Sequence, residues 1–147
     1  MVQVVEFIAV VTAAIFAGAA LYINLVEHPA RMLLETKSAA LQWAPSYRRA
    51  TWMQAPLALL SFGTGLLSWS LGGGLPWAVG ALLIGAVVPV TLLIIMPTNK
   101  LLLEPGRDLG STQTRTLLEK WARLHGIRTA LSLLATAVYV WQSLSPR

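Results

Sequence analysis

The chain has 147 residues, room for one domain of ordinary size, of which 56% are apolar and 12% charged, with a net charge of +5. Soluble chains average roughly 45–50% apolar and ~25% charged residues, so an ordinary water-soluble fold is disfavoured from the outset. The lack of cysteine excludes a disulfide framework, a thiolate metal site and a cysteine nucleophile.

Charge is also segregated along the chain: residues 7–26, 50–99 and 129–146 carry none. A bilayer-spanning helix needs ~20 apolar residues at ~1.5 Å each. The first window holds one such span and the third a slightly short one. The second holds two, divided by Gly72-Gly73-Gly74 and Pro76. A soluble helix would need a polar face, and the stretch AVGALLIGAVVPVTLLIIM has none. The expectation is therefore all-α: one integral membrane domain over residues 1–147, a four-helix transmembrane bundle with interfacial helices in its two long connections.

Span one is expected over about 4–26. Glu6 is its only early charge, so it lacks the basic start of a signal peptide and reads as a retained span. Ala14 and Gly18, four apart, offer a surface for close helix contact. Pro29 disfavours helix at the preceding residue, which predicts a break at His28. PARMLLETKSAALQW then restarts as an interfacial helix with Pro29 in its first turn. Span two is expected over about 52–71, with Ser61 and Gly65 at small-residue spacing. Span three, about 75–96, contains Pro89, a predicted kink, and ends at Pro97. Before span four, about 127–143, the residues Leu117, Leu118, Trp121 and Leu124 form one helical stripe. Span four is thus predicted to start early, as a helix at or rising from the surface. Trp52, Trp69, Trp77, Tyr139 and Trp141 fall near span boundaries, where aromatic rings commonly anchor.

Ten of the eleven Lys and Arg residues lie in or beside the connections between spans one and two and between spans three and four. The positive-inside rule puts those connections in the cytoplasm and both termini outside. Basic residues so placed can touch anionic lipid headgroups. This is the charge pattern of any such topology and does not imply nucleic-acid binding.

The chain has two histidines, and each begins an H-x-x-R step: His28 with Arg31, and His125 with Arg128. The topology brings His28, Asn99 and His125 to one depth. Asn24, Glu27, His28 and Arg31 fall on one helical face, and so do Trp121, His125 and Arg128. An unpaired arginine in a membrane helix costs at least ~2.5 kcal/mol, so Arg128 is expected to pair with Glu27, the carboxylate at similar depth. Arg31, Arg48, Arg49 and Arg123 read as snorkelling or capping groups. Chemically, two imidazoles can move a proton and a guanidinium can hold an oxyanion. The same histidines could instead ligate haem iron, or join Glu27 in a two-histidine, one-carboxylate metal site.

The segments FAGAALYINLVEHPAR, APSYRRA, PTNKLL and WARLHGIR, in this order, resemble a family of small four-span membrane proteins that includes the fungal anthrone oxygenases. The resemblance implies a four-helix membrane bundle. In characterised fungal members it also implies oxidation of an anthrone to an anthraquinone by molecular oxygen without a conventional cofactor. Residue chemistry suits that reaction. His125 or His28 could act as base, and Arg128 and Asn99 could hold a phenolate. Trp43, Tyr47 or Trp121 could pack on flat rings, with Asn24 and Glu27 completing the polar lining. The expected ligand is a hydrophobic aromatic small molecule. A second class of function stays open at this level: a small transporter or accessory subunit whose polar cluster only staples helices.

Overall fold

A computed structural model describes residues 2–145, and every regular element among them is helical. Helix α1 (Val2–Tyr22) passes through a π turn, Ile23–Glu27, into the short α2 (His28–Arg31). The chain turns at 32–35 and runs down α3 (Thr36–Ser68). A glycine turn follows, in which Gly72 (φ 88°) and Gly74 (φ 95°) take left-handed conformations that other residues resist. The return path is α4 (Leu75–Gly85), α5 (Val87–Pro89), a second π turn (Val90–Ile95) and α6 (Met96–Leu102). After a loop, α7 (Thr112–Leu144) closes the bundle, its start capped by Ser111 Oγ, which accepts from the Thr114 N–H at 3.2 Å.

Each long helix packs on two others in a ring: α1 on α3, α3 on α4, α4 on α7, and α7 back on α1. Three helical stretches, Val2–Arg31, Thr36–Gly73 and Leu75–Leu102, are long and apolar enough to cross a membrane. The fourth, α7, does not meet that standard: its charges Arg115, Glu119, Lys120, Arg123 and Arg128 precede a second half diluted by Thr, Ser and Gln. Its charge-free part starts at Thr129, so it is short for a hydrocarbon core of ~30 Å.

The distribution of side chains suits an apolar solvent. Large apolar residues such as Phe7, Leu59, Leu82, Leu93 and Leu134 are exposed, whereas Thr12, Gln54, Ser61, Ser68 and Ser132 are buried. Small residues let the backbones approach. On α1 these are Ala9, Ala13, Ala17 and Ala20, all buried, while the expected pair Ala14 and Gly18 faces outward. On α3 the expected Ser61 and Gly65 are both inside. Trp77 and Tyr139 are no boundary anchors. They are buried and stack on each other at 5.0 Å between α4 and α7. Trp52, Trp69 and Trp141 are exposed.

Two of the three proline expectations are corrected. The helix does not break at His28; it widens at Ile23–Glu27 and continues through Pro29 to Arg31. A π turn spends one extra residue on the turn before the proline, which absorbs the missing N–H and the ring clash without ending the helix. Pro97 likewise sits in the first turn of α6 and does not end span three, which runs on to Leu102. Pro89 does mark a distortion, with the second π turn directly after it. No separate interfacial helix follows Pro29, since α3 runs unbroken from Thr36 past Pro45 and Pro56. The stripe Leu117, Leu118 and Trp121 is buried within α7 itself.

A Cβ added at Gly65 would lie 2.0 Å from the Tyr139 hydroxyl oxygen. Gly65→Ala is therefore expected to destabilise the protein by about 1–3 kcal/mol, read as a lower thermal midpoint in detergent micelles. Combining it with Tyr139→Phe should recover part of the loss.

Candidate functional site

The two H-x-x-R steps meet around Trp121. Its ring centroid lies 5.3 Å from that of His28 and 4.9 Å from that of His125. The two imidazole centroids are therefore at most about 10 Å apart, the limit set by those two separations. Trp43 meets Trp121 edge-on at 5.7 Å and stacks on Tyr47 at 5.2 Å with the planes nearly parallel. His28, His125, Trp43 and Trp121 are each at least 95% buried. Of the residues expected at one depth, His28 and His125 both flank the Trp121 ring.

Asn24, projected by the π turn of α1, joins that turn to α7. Its Nδ2 donates to the Ala122 carbonyl at 2.9 Å, which fixes which end of the amide is oxygen. Its Oδ1 accepts from Thr129 Oγ1 at 2.7 Å and faces His125 Nδ1 at 2.7 Å. An amide oxygen only accepts, so Nδ1 carries the proton of His125 and, in the neutral ring, Nε2 holds the lone pair. His28 takes the opposite tautomer. Its Nδ1 lies 3.2 Å from Arg31 Nη1, and guanidinium only donates, so the proton sits on Nε2. That Nε2–H is buried without a protein partner.

The expected Glu27–Arg128 pair does not form. Arg31, read from sequence as a snorkelling group, is 4% exposed and pairs with Glu27 one turn earlier. It also donates to Gln42 Oε1, to Ser46 Oγ at 3.3 Å and to the His28 ring. Ser46 Oγ in turn donates to Glu27 at 2.5 Å. With its carboxylate held by Arg31 and Ser46, Glu27 does not join His28 and His125 as a third metal ligand. Among the described residues no three His, Cys, Asp or Glu side chains come together to hold a metal ion. A haem between the two imidazoles would have to displace Trp121 from both.

Arg128 is instead met from α3 and α1. Its Nη2 donates to Gln54 Oε1 at 2.8 Å, and its guanidinium lies 5.4 Å from the centre of the Phe16 ring, a cation–π contact that partly replaces hydration. Its Nε and the Gln54 Nε2 have no protein partner. A family model described as anthrone oxygenase matches residues 43–138, well over half of the chain. The chain belongs to the anthrone oxygenase family. No curated protein and no solved structure matches it.

Within the part matched to the anthrone oxygenase family lie Trp43, Tyr47, Gln54, Asn99, Trp121, His125 and Arg128; Asn24, Glu27, His28 and Arg31 precede it. Asn99 is 1% exposed on α6, which packs on α7, and both of its amide atoms lack a protein partner. Among the described residues, eight buried side-chain atoms are without such a partner, and all but Ser68 Oγ belong to His28, Trp43, Gln54, Asn99, Trp121 and Arg128. Leaving one buried polar group unmet costs ~1–3 kcal/mol, and Trp43, Gln54, Trp121 and Arg128 all line one narrow cavity.

Gln54 and Arg31 were missed as members of the site. Gln54 was detectable as the sole amide in the charge-free window before Asn99, within WMQAP. Arg31 was legible only as the i+4 partner of Glu27.

A narrow cavity touches Trp43, Tyr47, Gln54, Trp121, His125 and Arg128. A larger groove of about 560 Å³ runs past Tyr22, Glu27, Gln42, Ser46 and Arg49, away from both histidines. Removing the clamp in Asn24→Leu should free the His125 ring. Nitrogen NMR of selectively labelled histidine should then show mixed tautomers in place of a single Nδ1–H form. Stability should fall by about 1–3 kcal/mol, the usual result of stranding buried partners.

Proposed function

We propose that the protein is a four-span integral membrane oxidoreductase that oxidises hydrophobic, anthrone-like aromatic molecules with molecular oxygen at the end of the bundle bearing His28 and His125. Family membership and three apolar helices long enough to cross a membrane support this reading. The observation that carries it is the clamped His125 imidazole, Nδ1–H tied to Asn24, lining one cavity with the Arg128 guanidinium. We place both long connections in the cytoplasm, where Lys and Arg concentrate, and both termini outside.

The chemistry follows from that pair. The CH₂ between the two rings of an anthrone is acidic because its carbanion delocalises onto the carbonyl oxygen as a phenolate. His125 Nε2 removes the proton as general base, and Arg128 holds the phenolate through its N–H groups. The electron-rich carbanion passes electrons to O₂, forming a C–O bond and a peroxide that takes up the proton. Loss of the second C–H proton with cleavage of the O–O bond releases water and leaves the new carbonyl. One O₂ is consumed, giving one quinone carbonyl and one water. The protein's part is proton transfer, charge stabilisation and a dry site. The indole rings of Trp43 and Trp121 supply flat apolar walls.

His125→Ala is expected to lower anthrone-dependent oxygen uptake by purified protein by a factor of about 10²–10⁴, the usual contribution of a positioned base. Arg128→Gln should lower it by a similar order while the fold survives. Unchanged turnover in His125→Ala would remove the proposed base.

A further inference from the structure

A second cavity of about 180 Å³ opens beside the histidine cluster, between α3 and the stretch running from α5 through the Val90–Ile95 turn to α6. Its walls are apolar: Phe16, Ala58, Val87, Val88, Leu92 and Met96. Its inner end is not, since Gln54 and Arg128 line it and each keeps a buried N–H without a protein partner. Gln54 is 1% exposed and Arg128 9% exposed. At the mouth, Ala55, Val88 and Leu92 are exposed on the apolar flank of the bundle. Thr91, inside the π turn, donates to the Val87 carbonyl at 2.7 Å, so its hydroxyl is turned onto the backbone and adds no second polar end.

The cavity is small beside the ~300–1,000 Å³ of sites for drug-sized ligands. It has a cationic, hydrogen-bond-donating end at Arg128 and Gln54, with Tyr47 and Thr51 also in its lining, and its remaining walls are largely apolar. That chemistry selects a compact flat molecule with an acceptor oxygen at one edge, since donors left unmet by a purely hydrocarbon guest cost binding. Tyr47, Thr51, Gln54 and Arg128 line both this cleft and the narrow cavity that His125 lines. An oxygen seated at Arg128 therefore sits where this cleft meets the cavity that His125 lines.

We propose that this cleft is the substrate site and its entry from the lipid. A fused-ring phenol or quinone slides in past Ala55 and Leu92 and lodges its oxygen on Arg128 Nε and Gln54 Nε2. The proposal rests on the oxygenase reading for the identity of its guest, and it makes Gln54 the residue that distinguishes oxygen-bearing rings from plain hydrocarbons. Gln54 also pins Arg128 in place through Oε1.

The test is binding without turnover. The full chain in lipid nanodiscs is titrated with 1,8-dihydroxyanthraquinone, a product-like probe. Binding is followed by quenching of tryptophan fluorescence and by the red shift of the visible band when a phenol is drawn toward a guanidinium. Ala55→Phe places a ring in the mouth from an exposed position and should weaken binding at least tenfold. Gln54→Leu should weaken the quinone at least fivefold while leaving anthracene, which has no oxygen, within twofold. Arg49→Gln, on the larger groove, should bind as wild type. Wild-type binding by Ala55→Phe overturns the proposal, and so does displacement of the quinone by equimolar oleate, which would make the cleft a lipid-chain site. Intact binding with no oxygen uptake by the wild-type protein would overturn the oxygenase reading and leave the cleft standing.

Discussion

Inside a bundle whose surroundings are apolar, a polar group can be satisfied only by the protein or by what the protein binds. The Asn24 side chain is where that constraint is met most completely. Its carboxamide takes a proton from His125, takes another from Thr129 and gives one to the Ala122 carbonyl, crossing from the π turn of α1 to three successive turns of α7. Without such a bridge, a buried histidine and a half-buried asparagine between two apolar helices would each carry an unmet group. With it, one ring nitrogen is fixed as donor and the other is released for chemistry.

The same constraint explains why the rest of the site is divided into saturated and unsaturated parts. Glu27, Arg31, Gln42 and Ser46 bond one another, and together with His28 they neutralise a charge pair at the end of α1. Arg115 extends that order outward by donating to the Met32 and Leu34 carbonyls, which ties the first connection onto α7. Arg128, Gln54, Trp43, Trp121 and Asn99 keep donors in reserve. A structural staple would be expected to complete its own bonds. Gln54 and Arg128, with their unmet donors, line the same narrow cavity as Trp43, Trp121 and the clamped His125.

Much of the fold was legible because hydrophobic length and charge placement are properties of the chain alone. The three apolar stretches, the glycine turn and the shared depth of His28 and His125 all follow from them. The inward Ser61–Gly65 face was legible from small-residue spacing, although Ala14 and Gly18, spaced alike on α1, face outward. Pairing of the charged groups was not. Depth alone made Glu27 and Arg128 partners, whereas the i,i+4 geometry within α1 put Arg31 closer. Prolines misled because their local rule assumes a regular helix, and a π turn is invisible to a pattern counted at 3.6 residues. Gln54 escaped because an uncharged amide in an apolar span carries no periodic signal; its meaning arises only when Arg128 arrives from the other side of the bundle.

The Ile23–Glu27 turn separates two jobs along one rod. Above it, Ala9, Ala13, Ala17 and Ala20 form the seam on which the neighbouring backbones rest. Within and below it, Asn24, His28 and Arg31 form the polar edge. An extra residue in one turn rotates everything beyond it by about 100°, so the two rows need not share a phase. Substitutions that tighten the upper seam leave the aim of the imidazoles untouched. The apolar seam and the polar edge are thus set by separate turns of one continuous rod.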